Sequence, residues 1–174
     1  TRAEPFVPRL RTGVDDAGTI ARHIRPTVVP VVVYVATAMP EPGVVQHFGR
    51  GDLVIGPADA AAAKDAALQQ ALQAVVDLFA AAQVPVTISP DVMAELWNKL
   101  LVNCAYNAIS GLAQQPYGRL AALPVIRELQ HAVVREVVAV ARAEGQDLAL
   151  DAALAAMERI ATAMPEQLSS TAQD

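Results

Sequence analysis

Val84-Pro85-Val86-Thr87-Ile88-Ser89-Pro90-Asp91 is where the texture of the chain changes, and the fold is read outward from it. Upstream, Val28-Val29-Pro30-Val31-Val32-Val33-Tyr34-Val35 is a β-branched run that predicts a strand buried on both faces, with Pro30 at its start. Glu41-Pro42-Gly43 is a turn signal. Val44–Phe48 and Asp52–Ile55 are short strand candidates separated by Gly49-Arg50-Gly51, and the spacing predicts a hairpin there. Alanine-rich Ala58–Ala82, with Leu68, Leu72, Val75, Val76 and Phe79 at helical intervals, predicts one helix, and Val84–Ile88 a last strand. After Ser89 the β-branched runs stop. Three helical patterns follow, at 91–112, 124–144 and 149–164, with Ser89 as N-cap, Pro90 at the first helical position and Gly145 ending the second. The expected layout is an α/β part over 1–89 feeding an all-α part over 90–174.

Composition narrows the function classes. At 53% hydrophobic and 18% charged over 174 residues, the chain can bury a core and is not of disordered type. Thirteen basic against 18 acidic residues give a net charge of −5, the wrong sign for tracking phosphates, so no nucleic-acid partner is expected. The single cysteine, Cys104, has no intramolecular disulfide partner, and with His23, His47 and His131 it forms no metal-ligand spacing. A reducing cytoplasm and no metal are the expectations. The longest uncharged stretches are broken by Pro, Asn or Gln, so no membrane span is expected. Thr1-Arg2-Ala3-Glu4-Pro5 has neither an initiator Met nor a signal-type apolar region, which suggests a chain that starts inside a longer protein.

The segment richest in chemistry is Glu95-Leu96-Trp97-Asn98-Lys99-Leu100-Leu101-Val102-Asn103-Cys104-Ala105-Tyr106-Asn107. At about 100° per residue, Lys99, Asn103 and Asn107 fall along one helix face, drifting about 40° per step. They are flanked by Leu96, Leu100, Val102, Cys104 and Ala105, and Asn is a mediocre helix former that competes with the backbone for hydrogen bonds. Two readings stand side by side. In the first, the amides satisfy a neighbouring element's backbone and Lys99 pairs with Glu95; on spacing alone this is the commoner outcome. In the second, an ammonium and two amides receive a small oxo acid. A lysine, with an ordinary pKa of about 10.4, is protonated at neutral pH and suits the role of general acid.

Other candidates carry less. Gly49-Arg50-Gly51 with Gly56 imitates a phosphate loop, but a strand-like Leu53-Val54-Ile55 follows where a helix N-terminus is required. His47 and His131 are expected as surface or packing residues, Cys104 as a small apolar packer, Trp97 as a core anchor, and Ser169-Ser170-Thr171 as a frayed polar tail.

Ala94-Glu95-Leu96-Trp97-Asn98-Lys99-Leu100 through Asn103-Cys104-Ala105-Tyr106-Asn107 resembles the start of the C-terminal helical domain of the ketopantoate reductase (2-dehydropantoate 2-reductase) family. That family's motif is a Trp, a catalytic Lys and two Asn at i+4 and i+8. Glu41–His47 and Gly49–Gly56 look like the hairpin that closes the family's nucleotide-binding domain, and Ser169-Ser170-Thr171-Ala172-Gln173-Asp174 like its serine-containing segment. The resemblance implies the last strands and helix of a Rossmann-type domain over 1–89, followed by the helical domain over 90–174. It implies NADPH-dependent reduction of 2-dehydropantoate to (R)-pantoate, on the route to pantothenate and coenzyme A. It further implies Lys99 as proton donor to the keto oxygen, Asn103 and Asn107 on the substrate's polar end, and Ser170 on its carboxylate or hydroxyl. The family's G-x-G-x-x-G loop is not in this sequence, and Arg11-Thr12-Gly13 stands where an Asn-Gly pair is usual. The expected partner is a small 2-oxo acid, with a homodimer as a further expectation. A 2-dehydropantoate reductase, a reductase of another 2-oxo acid, and a non-catalytic helical association module built on the alanine-rich helices are therefore the functions to separate.

Overall fold

The computed structural model describes residues 27–173, so Arg11-Thr12-Gly13 and His23 lie outside the described residues. The chain divides into two compact units, Thr1–Leu96 and Trp97–Asp174. In the first, strands β1 (Val31–Glu41), β2 (Val44–Ile55) and β3 (Val86–Ile88) form a sheet in the order β1-β2-β3. β1 and β2 are antiparallel, whereas β2 and β3 are parallel and joined through helix α1 (Ala66–Ala81). A parallel neighbour reached through a helix is the arrangement of a βαβ crossover.

β1 is buried on both faces only near its start. Val29 and Val31 join Leu53, Ile55, Leu72 and Val75 in one cluster, while Val32 packs with Val92 and Leu96 in another. Farther along, Val35 is 53% exposed and Met39 66% exposed. Pro30 precedes the strand, so the ladder loses no donor.

The expected hairpin at Gly49-Arg50-Gly51 is corrected. β2 runs unbroken through these residues, and the turn lies at Pro42-Gly43, with Glu41 facing Val44 and Gly43 at φ +82°. Pro followed by a positive-φ Gly is the type II turn pattern. The glycines mark a bulge instead: pairing jumps from Val35–Gly51 to Thr37–His47, with Gly49 at φ +108° and Arg50 at φ +51°. The bulge delivers Arg50 over the Tyr34 ring, 3.9 Å from its centroid, and into a two-bond pairing with Asp52 at 3.0 and 2.7 Å.

The single helix expected over Ala58–Ala82 is also corrected, because two aspartates interrupt it. Asp59 accepts from the N–H groups of Ala61 and Ala62 at 2.8 Å and starts a short 3₁₀ turn at Ala62–Lys64. Asp65 then caps α1 by accepting from Ala67 and Leu68. A short carboxylate gains more as a cap than inside a helix. Helix α2 (Val92–Ala113) is likewise capped by Asp91, whose carboxylate accepts from the Ala94 N–H at 3.0 Å, and not by Ser89, whose hydroxyl holds the Asp91 N–H. Gly56 lies where only a bare Cα fits, since a Cβ there would stand 2.5 Å from the Ser89 carbonyl. The texture change at Ser89 and the division of the units at Leu96 differ because the first turns of α2, through Val92 and Leu96, pack on the sheet.

The second unit is helical: the rest of α2, then α3 (Tyr117–Ala121), α4 (Pro124–Ala143), α5 (Leu150–Ala163) and α6 (Ser170–Gln173). α4 ends as expected at Gly145, whose φ of +82° lets the Gly145 and Gln146 N–H groups return to Arg142 and Ala141. Its core holds Leu101, Ala105, Tyr106, Tyr117, Leu120, Val134, Val138 and Met157. No helix among the described residues is long and apolar enough to cross a membrane.

Candidate active site

Lys99, Asn103 and Asn107 all lie within α2, so the helical period of the sequence becomes a real row of side chains. Lys99 and Asn107 are half-buried and Asn103 is exposed. Neither Asn side chain hydrogen-bonds another described residue. Among the described residues, then, neither amide satisfies a neighbouring element. Glu95, four residues before Lys99, accepts from the Tyr34 hydroxyl at 3.2 Å.

The serine segment is no frayed tail. It folds into α6, and Ser169 is fully buried as the residue before it, accepting from the Ala172 N–H at 3.1 Å. The Ser169 hydroxyl donates to the Asn107 carbonyl at 3.3 Å, and the Ser169 N–H donates to the Ser110 hydroxyl at 3.2 Å. Ser110 in turn donates to the Gln115 carbonyl at 3.0 Å. Ser170 follows, exposed, at the first residue of α6. These bonds fasten Ser169, the residue before Ser170, to the backbone of α2 at Asn107 and to Ser110, across a gap of more than fifty residues.

Ser110 was not singled out by the sequence, and Ser169 only as part of the serine segment. Ser110 carried a usable signal, because it follows Lys99 by three helical turns on the same face. Ser169 carried none, since its partners lie far away in sequence. Gly111 makes room for the contact: a Cβ there would stand 2.9 Å from the Thr171 methyl.

Elsewhere the described residues hold no group of His, Cys, Asp and Glu suited to a metal ion. His131 has a partner after all, the Glu158 carboxylate at 3.1 Å. Cys104 is exposed and not a packed apolar group, and partial burial of its sulfur pushes the thiol up, which makes it a poor nucleophile. Trp97 is buried, as expected of a core anchor. A cavity of about 390 Å³ opens between α3, α4 and α5, lined by Tyr106, Arg127, Gln130, Met157 and Glu158; none of Lys99, Asn103, Asn107 or Ser170 lines it.

All three tyrosines have raised phenol pKa values. Burial, reinforced by the Glu95 carboxylate, pushes Tyr34 up to about 12, and burial pushes Tyr106 and Tyr117 up as well. Because the folded values lie above the unfolded value of about 10, the neutral phenols stabilise the fold fully below that pH. That contribution is lost as pH rises above 10, for Tyr34 toward about 12. The folded protein is expected to show less than half of its phenolate absorbance at pH 10, with the rest appearing on unfolding; half-ionisation at pH 10 would contradict this.

Residues 91–174 match the family described as Ketopantoate reductase PanE/ApbA C terminal. A 2-dehydropantoate 2-reductase of Vibrio cholerae is 33% identical over 130 residues, which cover 75% of this chain and 41% of that protein. One of Halobacterium salinarum is 32% identical over 141 residues, covering 80% and 45%. The chain thus spans less than half the length of these curated relatives. Among solved structures, the PanE/ApbA family ketopantoate reductase of Ralstonia eutropha JMP134 is 44% identical with a TM-score of 0.80, covering 97% of this chain and 53% of that one. A D-mandelate dehydrogenase solved with NADH, 18% identical, shares the fold with a TM-score of 0.82 over 97% of this chain and 56% of its own. A dimeric ketopantoate reductase of Staphylococcus aureus is 25% identical, with a TM-score of 0.67 over 87% and 49%. Residues 91–174 are thus a C-terminal helical domain of the ketopantoate reductase type, and the likeness to ketopantoate reductases extends over most of the chain.

Proposed function

We propose that this chain supplies the substrate side of an NADPH-dependent reductase that converts 2-dehydropantoate to (R)-pantoate, on the route to pantothenate and coenzyme A. The observation that carries the reading is the row Lys99, Asn103, Asn107 on α2, with Ser169, the residue before Ser170, bonded to the Asn107 carbonyl, in a chain similar to this family. Lys99 donates a proton to the keto oxygen as the keto carbon is reduced. Asn103 and Asn107 hydrogen-bond the polar end of the substrate, and Ser170 holds its carboxylate or hydroxyl. Donors fixed in advance where negative charge develops are each worth roughly 2.7–4 kcal/mol of barrier.

Among the described residues no glycine loop opens a helix in the manner of a pyrophosphate cradle: Gly49-Arg50-Gly51 sits in mid-strand. The described residues therefore do not fit the pyrophosphate, and no step is assigned to the nucleotide. The parallel β2–α1–β3 unit supports reading the first unit as the end of a Rossmann-type domain, with the boundary near Ser89. A cytoplasmic location and a homodimer, as in the dimeric relative, belong to the same proposal.

The test is NADPH oxidation by the full-length protein. Turnover dependent on 2-dehydropantoate is expected. Failure to oxidise NADPH with any 2-oxo acid would favour the helical association module instead.

A further inference from the structure

We propose that Ser169 is a positioning residue that sets Ser170 against the substrate; this rests on the reading of Lys99, Asn103, Asn107 and Ser170 as one substrate site. Ser169 is fully buried, and its polar groups are engaged with the protein. The N–H goes to the Ser110 hydroxyl, the O–H goes to the Asn107 carbonyl, and the hydroxyl oxygen accepts from Ala172. Ser110 is itself fully buried and anchored on the Gln115 carbonyl, so the relay starts from a fixed point.

A helix of four residues has no stability of its own, so the placement of α6 depends on what ties it down. Two ties are visible. One is the serine relay; the other is the close approach of Thr171 to Gly111. Both land on α2 within one turn of Asn107, the residue that closes the polar row. Ser170, next in the chain, has its hydroxyl uncommitted to any described residue. Ser169 therefore acts on substrate only through Ser170.

The experiment is a steady-state comparison of Ser169→Ala, Ser170→Ala, the double variant and Ser169→Thr in the full-length enzyme. Ser170→Ala is expected to raise KM for 2-dehydropantoate about tenfold or more, as for loss of one hydrogen bond to a charged group. Ser169→Ala should raise KM comparably with kcat within about threefold, the pattern of lost uniform binding. The double variant should be no worse than Ser170→Ala alone, because two residues acting through one contact are not additive. Ser169→Thr, which keeps the hydroxyl, should recover most of the KM. If Ser169→Ala does not fold, Ser110→Ala carries the same test, since it removes only the relay's anchor. A normal KM in Ser169→Ala beside a raised KM in Ser170→Ala overturns the positioning role and leaves the site standing, as do strictly additive effects. A normal KM in Ser170→Ala overturns both.

Discussion

Lys99→Ala in the full-length enzyme lowers turnover by at least about 100-fold, the low end of what a positioned general acid contributes. The fold should survive the change. Lys99 stands in the interior of α2, half-buried, and alanine is the best helix former, so the helix keeps its backbone bonds and its packing through Leu96, Leu101 and Ala105. What disappears is the one ammonium in the polar row, and with it the proton that the proposed reading sends to the reduced oxygen. Lys99→Arg keeps a charge yet should also turn over slowly, because a guanidinium does not give up its proton in proteins. Initial rates of NADPH oxidation, beside an unchanged helical circular dichroism signal, check both variants. Near-normal turnover in Lys99→Ala would remove Lys99 from the role of acid.

Tyr106→Ala costs about 3–5 kcal/mol of stability, the usual range for deleting a large buried aromatic ring. Tyr106 is fully buried on the same helix, its ring 4.6 Å from that of Tyr117, and its hydroxyl donates to the Met157 carbonyl at 3.0 Å. One side chain thus ties α2 to α3 and α5. It already borders the cavity beside Gln130, whose Oε1 is buried without a hydrogen-bond partner, so truncation enlarges a void that nothing nearby is placed to fill. Tyr106→Phe keeps the ring and should cost only about 0.5–1.5 kcal/mol, the net worth of an ordinary hydrogen bond. Urea unfolding of the two variants against the parent separates packing from hydrogen bonding. Equal losses in both would contradict this account of the core.

The long helices were legible in the sequence because their signal is local. Apolar spacing in α1, α2, α4 and α5 repeats within a few residues, and tertiary packing uses the same faces. Where the reading slipped, a residue had two physical uses. Asp59 and Asp65 sit in an alanine-rich stretch that reads as helix throughout, yet a carboxylate able to cap two N–H groups ends one element and begins another. Gly49 and Gly51 fit a turn or a bulge equally well, and only the pairing of β2 with β1 decides between them. The polar row in α2 was visible as a period. The tie of Ser169 to α2 was not, because its bonds to Ser110 and the Asn107 carbonyl are set by how the helices stack and leave no pattern along the chain. Resemblance to a family proposes Ser170 for the substrate site; the buried Ser169 next to it, fastened to α2, came from the fold.

The most direct test of the central claim is to titrate the full-length protein with 2-dehydropantoate while following the side-chain amide resonances of Asn103 and Asn107 and the backbone resonance of Ser170 by NMR. Saturable shifts at all three, with the Gln130 amide beside the separate cavity unmoved, are the predicted result. Binding that leaves Asn103, Asn107 and Ser170 unchanged, or that perturbs Gln130 instead, would contradict the assignment of the substrate site.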